Sequence, residues 1–235
     1  MKKAETILNE RDNILGRIRE ALKASAPLPG SQGGSHEHTP AGPPTSHARA
    51  WLPAVGASAA EQFELFARNA ADLKTDFQLL ASREELKAAL LKLRDAEKWQ
   101  RIASHGGELT DFAGKTLGLP VTITDRGYDV QEMEQCDAGI TECDALIAQT
   151  GSVAVTSRSA GGRALSVLPP HHVVIARRDQ LVADLPAAFA RLQEKYAPDF
   201  PSMISFITGP SRTGDIERIL VLGAHGPKKL TILCI

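Results

Sequence analysis

Short apolar runs alternate with amphipathic helical segments from about residue 51 onward, and this alternation restricts the fold more than any other feature of the sequence. Runs that are apolar throughout, such as residues 145–148 and 173–176, are typical of strands in a parallel sheet that is buried on both faces. Helices between such strands indicate an α/β architecture. Closely spaced strands near the C-terminus, at residues 219–222 and 230–235, suggest antiparallel additions. The pattern therefore predicts an α/β domain with a mostly parallel sheet.

Local signals place the helices of this domain. Apolar residues at helical spacing predict helices at residues 59–72, 109–117 and 185–196. Ser82 begins another helix, because Glu85 three residues later completes a capping-box pattern. Further short strands are predicted at residues 77–80, 101–104, 121–124, 153–156 and 203–208.

The region before this domain has two parts of different character. Residues 1–24 carry an amphipathic pattern that predicts a helix, and residues 25–48 are rich in proline and glycine, which predicts a linker. The helix either packs on its own domain, which we favour, or docks on a partner or on a second copy as a homo-oligomer. We thus divide the chain into an N-terminal helix, a linker and an α/β domain at residues 49–235.

Charge and cysteine content exclude several classes of protein. Lysine and arginine number 27 and aspartate and glutamate 28, so the net charge of −1 argues against a dedicated nucleic-acid binder. No apolar stretch approaches the roughly 20 residues that a membrane span needs. The three cysteines form neither a CxxC pair nor an iron–sulfur spacing. We expect a reduced, cytoplasmic protein that itself binds no cofactor and no metal.

Two polar loops are candidates for ligand binding, since open α/β sheets bind ligands at the carboxyl ends of their strands. The first contains Thr150, Gly151 and Ser152, whose two hydroxyls can bind an anion; the alternative is a plain hairpin turn. The second offers Arg163 for a carboxylate or phosphate and His171 as an acid–base group. Its alternative is a surface loop with solvated arginines and a histidine that shields a strand end.

A third loop, residues 209–217, combines glycine, hydroxyls, a cation and two acids after a predicted strand. Backbone N–H groups and hydroxyls in such a loop can cradle an oxyanion. The loop has neither the Walker A nor the Rossmann pattern. The candidate anion ligands here, including one glycine from the next loop, are Ser211, Arg212, Thr213 and Gly226.

Three residues of this region are candidates for proton transfer. Asp215 and Glu217 either act as general acid–base groups or pair with Arg212 and Arg218. His225 lies between Gly223 and Gly226 in a short loop, where core packing does not explain a histidine. It is therefore our first candidate for a functional histidine. Neither a nucleophile elbow nor an HExxH motif occurs in the sequence.

These motifs together resemble the lactate utilization protein C family (LutC/YkgG), the LUD-domain group. The resemblance rests on residues 208–217 and 220–227 with the strand that follows, and on the segments 148–152 and 168–171. It covers most of the chain from about residue 50 onward. Two positions depart from the family pattern, because Gly214 stands where alanine is common and Gln149 where an acidic residue is common. The second departure removes a carboxylate, so we assign no catalysis to residue 149.

The resemblance implies a three-layer fold of the NagB/RpiA/CoA-transferase-like type. It also implies that the chain acts with two iron–sulfur partner proteins in the oxidation of L-lactate to pyruvate, as a non-redox component. In that setting Arg163 or Arg212 would hold a carboxylate, and His225 could take a proton from a 2-hydroxyl group. A flavin or nicotinamide would come from a partner.

Two other functions stay open at this stage. One is a stand-alone enzyme of the same superfamily, such as a CoA transferase, a sugar-phosphate isomerase or a folate cyclo-ligase. A CoA transferase needs a glutamate nucleophile in a glycine-flanked setting, which Glu142 between Thr141 and Cys143 lacks. The other is a structural scaffold whose polar loops mediate assembly only.

Overall fold

The computed structural model describes residues 15–17, 19–20, 23, 52–125, 127–213, 221–222 and 226–235. The chain divides into two compact units, Met1–Trp51 and Leu52–Ile235. In the first unit, residues 15–17 and 19–20 are helical. The rest of the predicted N-terminal helix and the linker at residues 25–48 lie outside the described residues.

The second unit contains five α-helices, one short 3-10 helix (Arg178–Gln180) and twelve strands within its described residues. The helices are α1 (Ala59–Asp72), α2 (Arg83–Glu97), α3 (Glu108–Leu117), α4 (Val130–Glu134) and α5 (Leu185–Tyr196). The strands are β1 (Asp76–Leu79), β2 (Ile102–Ser104), β3 (Val121–Ile123), β4 (Ala138–Thr141), β5 (Ala145–Ile147), β6 (Ser152–Thr156), β7 (His171–Ala176), β8 (Leu181–Val182), β9 (Ile204–Ile207), β10 (Arg212–Thr213), β11 (Val221–Leu222) and β12 (Lys229–Cys234).

A six-stranded sheet in the order β1-β12-β7-β4-β2-β3 forms the centre of this unit. Every neighbouring pair of strands in it is parallel. A second sheet has the order β8-β5-β6-β9, in which β6 is antiparallel to both of its neighbours. The predicted α/β class with a mostly parallel sheet is therefore confirmed.

Both faces of the parallel sheet are buried, which explains why its central strands are apolar throughout. On one face, Val173 and Ile175 of β7 pack in a core with residues of α2 and α3. On the other face, Val174 and Ala176 pack in a core with α1 and with β6 of the second sheet. Helix α5 covers the far side of that second sheet through Ala188. One face of the parallel sheet is thus covered by helices, and the other by a helix and a sheet.

The C-terminal strands were expected to be antiparallel additions, and this expectation is wrong for the last of them. β10 and β11 do form an antiparallel pair. β12, however, lies between β1 and β7 and is parallel to both. A short apolar run indicates a buried strand but not whether the neighbouring strands are parallel or antiparallel to it. The sequence pattern therefore could not distinguish these two arrangements.

The helix beginnings follow local rules, with one difference from expectation. Ser82 accepts a hydrogen bond from the Glu85 N–H as predicted. The Glu85 carboxylate, however, accepts from the Ala81 N–H at 2.7 Å, so the reciprocal bond to Ser82 is missing. The complete capping box lies at α1, where Ser58 and Glu61 bond each other's backbone.

Gly139 and Gly114 offer a matched pair of alanine substitutions. In β4, a Cβ at Gly139 would lie 2.3 Å from the backbone oxygen of Leu165, so we expect Gly139→Ala to lower the free energy of unfolding by about 1–3 kcal/mol. In α3, a Cβ at Gly114 would meet only Val121 at 3.8 Å. We expect Gly114→Ala to raise the free energy of unfolding by up to ~1 kcal/mol, since alanine favours helix. Urea denaturation measures both, and equal midpoints for the two variants would contradict this packing.

Candidate functional site

The second predicted loop, which leads to His171, and the third predicted loop meet at the amino-terminal edge of the parallel sheet and not at its carboxyl edge. His171 is the first residue of β7, and Lys229 is the first residue of the neighbouring β12. The backbone N–H groups of Lys228 and Lys229 both donate to the Pro170 carbonyl, at 2.8 and 3.3 Å. Because β7 and β12 are parallel, the loops that enter them lie side by side at this edge.

The third loop contacts the same edge. The Ser211 N–H donates to the Pro227 carbonyl at 2.9 Å. A Cβ at Gly226 would lie 3.2 Å from the Cβ of Ser211, so the two predicted anion ligands Ser211 and Gly226 are direct neighbours. Arg212 is exposed and pairs through its backbone with Leu222.

Four residues of the sequence-based site lie wholly or partly outside the described part of the chain. Thr213 is described only as a backbone position of β10. The candidate proton-transfer residues Asp215, Glu217 and His225 lie outside the described residues altogether. Their assignment therefore stays a prediction from sequence.

The turn that contains Thr150, Gly151 and Ser152 joins β5 to β6 and packs against the end of α1. Asn69 donates through its Nδ2 to the carbonyls of Ala148 and Gln149, at 2.9 and 3.0 Å. Gly151 has a φ of +64°, and a Cβ there would lie 2.8 Å from the Ala70 nitrogen, so this position requires glycine.

The two hydroxyls of this turn differ in their bonding. The Ser152 hydroxyl lies 2.8 Å from that of Thr208, which precedes the third loop. The Thr150 hydroxyl oxygen is buried and has no hydrogen-bond partner among the described residues. Arg163 lies elsewhere, since its guanidinium donates to the Ser202 carbonyl at 3.1 Å. The turn is thus linked to the third loop, whereas Arg163 is held by the segment that precedes β9.

A cavity of about 320 Å³ opens at the amino edge beside His171. Its walls come from the turn that follows α1, from α2, from the third loop and from the first residues of β1, β7 and β12. The lining residues are Lys74, Asp76, Leu93, Glu97, His171, Pro210, Lys228, Lys229, Leu230 and Thr231. The cavity thus joins charged, hydrogen-bonding and apolar side chains within a small volume.

His171 is the most deeply buried titratable residue of this wall, with 4% of its surface exposed. Its Nε2 lies 2.9 Å from the hydroxyl of Thr231, while its Nδ1 is buried without a partner among the described residues. The ring meets Trp99 edge-on at a centroid distance of 5.3 Å. Burial lowers the pKa of His171 to about 4, so the imidazole is neutral near neutral pH.

Of the three lysines that line the cavity, one forms a described ion pair and two do not. Lys229 bonds both carboxylate oxygens of Glu97, at 2.6 and 2.7 Å. Lys74 and Lys228 form no ion pair with any residue in the described ranges. The amino edge therefore presents positive charge that the described side chains leave unneutralised.

The carboxyl edge of the same sheet carries a charged network that the sequence analysis missed. Glu142, which follows β4, accepts from the Leu109 N–H at 2.9 Å and from Arg177 at 3.1 Å. Arg177, which follows β7, also binds Glu108 at 2.7 Å. A Cβ at Gly107 would lie 2.6 Å from the Glu142 carboxylate, so a larger residue there would displace this carboxylate.

The sequence did contain a signal for this network. Gly107, Glu142 and Arg177 each follow a strand of the parallel sheet by one to three positions, and such positions meet at its carboxyl edge. In the structure Glu142 supplies the cap that Gly107, the N-cap of α3, cannot provide. Because these groups satisfy one another, the network holds α3, β4 and β7 together.

The cysteines lie in the core. Cys136, Cys143 and Cys234 are all buried and free. Burial raises the pKa of each thiol, for Cys234 to about 11. The part of the chain that the structure describes contains no group of three His, Cys, Asp or Glu side chains suited to a metal ion. Among those residues, no helix has the length and apolar character to cross a membrane.

The two adjacent histidines of β7 make stability depend on pH. Burial lowers the pKa of His171 to about 4 and that of His172 to about 3, from 6.5. Below pH 6.5 the unfolded chain therefore binds protons that the folded chain does not. We expect the free energy of unfolding to fall between about pH 6.5 and pH 4, by up to about 1.4 kcal/mol per pH unit for each histidine.

The variant His172→Gln tests whether His172 contributes to this pH dependence. Glutamine lacks the titrating ring but can still reach the hydroxyl of Thr141, which lies 2.9 Å from the His172 Nε2. The free energy of unfolding of this variant should change less steeply with pH than that of the wild type. The difference in slope should approach about 1.4 kcal/mol per pH unit, which corresponds to one fewer proton taken up on unfolding. Urea denaturation across this pH range measures the slope. An identical slope in both proteins would show that His172 does not titrate in this way.

Comparison with known proteins assigns the chain to a family. Residues 122–235 match the family model of the LUD domain. The lactate utilization protein C of Anoxybacillus flavithermus is 35% identical over 158 residues, which cover 61% of this chain and 70% of that protein. The protein of the same name from Bacillus licheniformis is 34% identical over 173 residues, covering 65% and 72%.

Shorter and more distant matches agree. The lactate utilization protein C of a Geobacillus species is 37% identical over 109 residues, which span 45% of its length. The crystal structure of a DUF162 family protein from Deinococcus radiodurans superposes with a TM-score of 0.57 at 22% identity, covering 76% of this chain and 99% of that one. This structural likeness supports the fold. The chain belongs to the lactate utilization protein C family.

Proposed function

We propose that this chain serves lactate utilization as a non-redox component of a system that oxidises L-lactate to pyruvate. The observation that carries the proposal is the 35% identity over 158 residues to a protein named lactate utilization protein C. In this reaction L-lactate loses two electrons and two protons. The electrons would pass to redox groups held by two iron–sulfur partner proteins, and the protons would pass to basic groups near the substrate.

The chemistry of the cysteines supports the assignment of electron transfer to the partners. Iron–sulfur clusters are held by several cysteine thiolates around one cluster. Here Cys136 lies in a small core of its own, apart from the core that contains Cys143 and Cys234. Burial raises the pKa of all three, so they stay protonated thiols near neutral pH. This arrangement does not suit a cluster.

The role of this chain in the system is the binding of a small anion and the handling of a proton at the third loop. In this proposal His225 takes the proton of the 2-hydroxyl group, Asp215 and Glu217 serve as further acid–base groups, and Arg212 binds the carboxylate. Support for this location comes from the contact between Ser211 and the 226–227 segment at the amino edge.

Lactate-dependent dye reduction by the purified proteins tests this function. We expect no reduction by the chain alone and reduction when the two iron–sulfur partners are added. His225→Ala and Asp215→Ala should each lower the rate of the assembled system by about a hundredfold or more, as the loss of a general acid–base group does. Lys87→Ala, on the exposed side of α2, is the matched control and should keep the full rate.

Each other outcome has a definite meaning. Reduction by the chain alone would contradict the non-redox role and favour a stand-alone enzyme of the NagB/RpiA/CoA-transferase-like type. Full rates for both His225→Ala and Asp215→Ala would contradict the site assignment. No reduction by the mixture would contradict the proposed function itself.

A further inference from the structure

We propose that the paired hydroxyls of Ser152 and Thr208 position the entry of the third loop and so hold Arg212 in place to bind the substrate carboxylate. Ser152 and Thr208 would act through Arg212 and not on the substrate, so both are positioning residues. The inference rests on the proposed function for the role of Arg212. It deepens that function by naming what holds the loop, and it gives Ser152 a role other than that of an anion ligand.

The two hydroxyls meet where a pair of strands ends. In the antiparallel pair of β6 and β9, Val153 lies opposite Ile207. Ser152 and Thr208 are the next residues along this pair, and their hydroxyl oxygens lie 2.8 Å apart. Only 2% of the Ser152 surface is exposed, which suits a residue that holds another residue better than one that binds a ligand. Because Thr208 is exposed, the contact connects the buried turn to the surface segment that begins the third loop.

The turn that carries Ser152 is the fixed side of this contact. Asn69 of α1 donates two hydrogen bonds to carbonyls of the turn, at 2.9 and 3.0 Å. Gly151 lies against the backbone of the same helix, since a Cβ there would be 2.8 Å from the Ala70 nitrogen. The turn is therefore fixed to α1, and the Ser152 hydroxyl passes this position on to Thr208.

Gly209 connects the hydroxyl pair to Arg212. It follows Thr208 directly and has a φ of +88°. A Cβ at Gly209 would lie 3.0 Å from the carbonyl oxygen of Leu73, the C-cap of α1, and 3.5 Å from the Nη2 of Arg212. The guanidinium thus lies back over the entry of the loop. A displacement of Thr208 and Gly209 therefore displaces the cation that is proposed to bind the carboxylate.

The far side of the loop region has a separate anchor. The Ser211 N–H donates to the Pro227 carbonyl at 2.9 Å, and Gly226 lies against Ser211. His225, the proposed proton acceptor, adjoins Gly226 in the sequence. Because this anchor does not involve the hydroxyl pair, loss of the pair should weaken substrate binding by Arg212 and leave proton transfer by His225 largely intact.

Thr208→Val and Thr208→Ser form a matched pair of variants. Valine keeps the branched shape of threonine without its hydroxyl, whereas serine keeps the hydroxyl. In lactate-dependent dye reduction by the assembled system, we expect Thr208→Val to raise the KM for L-lactate about fivefold and to change kcat less than about twofold. Thr208→Ser should keep the KM of the wild type. A purely structural role would lower the folded fraction, and therefore kcat, without raising KM.

Ser152→Ala removes the other hydroxyl and should also raise KM about fivefold. The double variant Ser152→Ala with Thr208→Val should raise KM no further than either single variant, because both changes remove the same contact. Urea denaturation reports whether each variant is folded. If Ser152→Ala does not fold, Thr208→Val still decides, because the exposed Thr208 can be changed without disturbing the core.

Limited digestion of the full-length chain with trypsin measures the positioning without any activity. Trypsin cleaves after arginine and lysine, and a loop entry that opens more often exposes the bond after Arg212. Where opening is fast relative to cleavage, the rate of cleavage follows the open population. We therefore expect mass spectrometry to show cleavage after Arg212 about fivefold faster in Thr208→Val than in the wild type and Thr208→Ser. Cleavage after the exposed Lys87 of α2 is the internal control and should be equal in all three.

Four results would each overturn the inference: an unchanged KM in Thr208→Val, an equal rise of KM in Thr208→Ser, a KM in the double variant that multiplies the two single effects, or equal cleavage after Arg212 in the wild type and Thr208→Val. Failure of the proposed function is distinguishable, because the wild-type system would then reduce no dye. In that case the digestion still decides whether the hydroxyl pair holds the loop.

Discussion

The insertion of β12 between β1 and β7 is the constraint on which the rest of the molecule depends. Thr231 pairs with Asp76 on one side and with Val173 on the other, so one strand joins the first and the later parts of the domain. Without it, β1 would have no neighbour in the parallel sheet. This pairing connects residues that are far apart in the sequence, and such contacts form late and slowly in folding.

The same insertion creates the candidate site. The segment that enters β12 supplies Lys228, Lys229 and Thr231 to the cavity, and the segment that enters β7 supplies His171. Because the two strands are parallel and adjacent, their first residues come together at one edge. The Thr231 hydroxyl then reaches the Nε2 of His171, at 2.9 Å. A contact that sets the chemistry of the cavity is thus a direct result of strand order.

The two edges of the parallel sheet differ in how their charged side chains are paired. At the carboxyl edge, Glu142 and Arg177 neutralise each other and cap α3, so the charges serve to join elements. At the amino edge, Lys74 and Lys228, which have no described ion pair, line a cavity beside the buried His171, whose Nδ1 has no hydrogen-bond partner among the described residues. Open α/β sheets usually bind ligands at the carboxyl edge. Here the charged side chains at that edge pair with one another, and the lysines without described ion pairs lie at the other edge.

Local sequence was sufficient to predict the elements that depend on nearby residues. Helices α1 and α5 were predicted with the bounds that they have, since amphipathic spacing and capping act within a few residues. The apolar strands and the α/β class followed in the same way. The family was also identified from short motifs, because the segments at residues 208–217 and 220–227 are specific in combination.

Tertiary structure alone decided the features that depend on distant partners. Local patterns could not predict the direction of β12 or the edge at which the loops meet. They also could not predict that the Glu85 carboxylate accepts a hydrogen bond from Ala81 and not from Ser82. Lys74, His171 and Thr231 are separated by many residues in the chain, so no spacing could reveal that they line one cavity. Periodicity reports which face of an element is buried, whereas neighbours and their direction are set by pairings that only the folded chain makes.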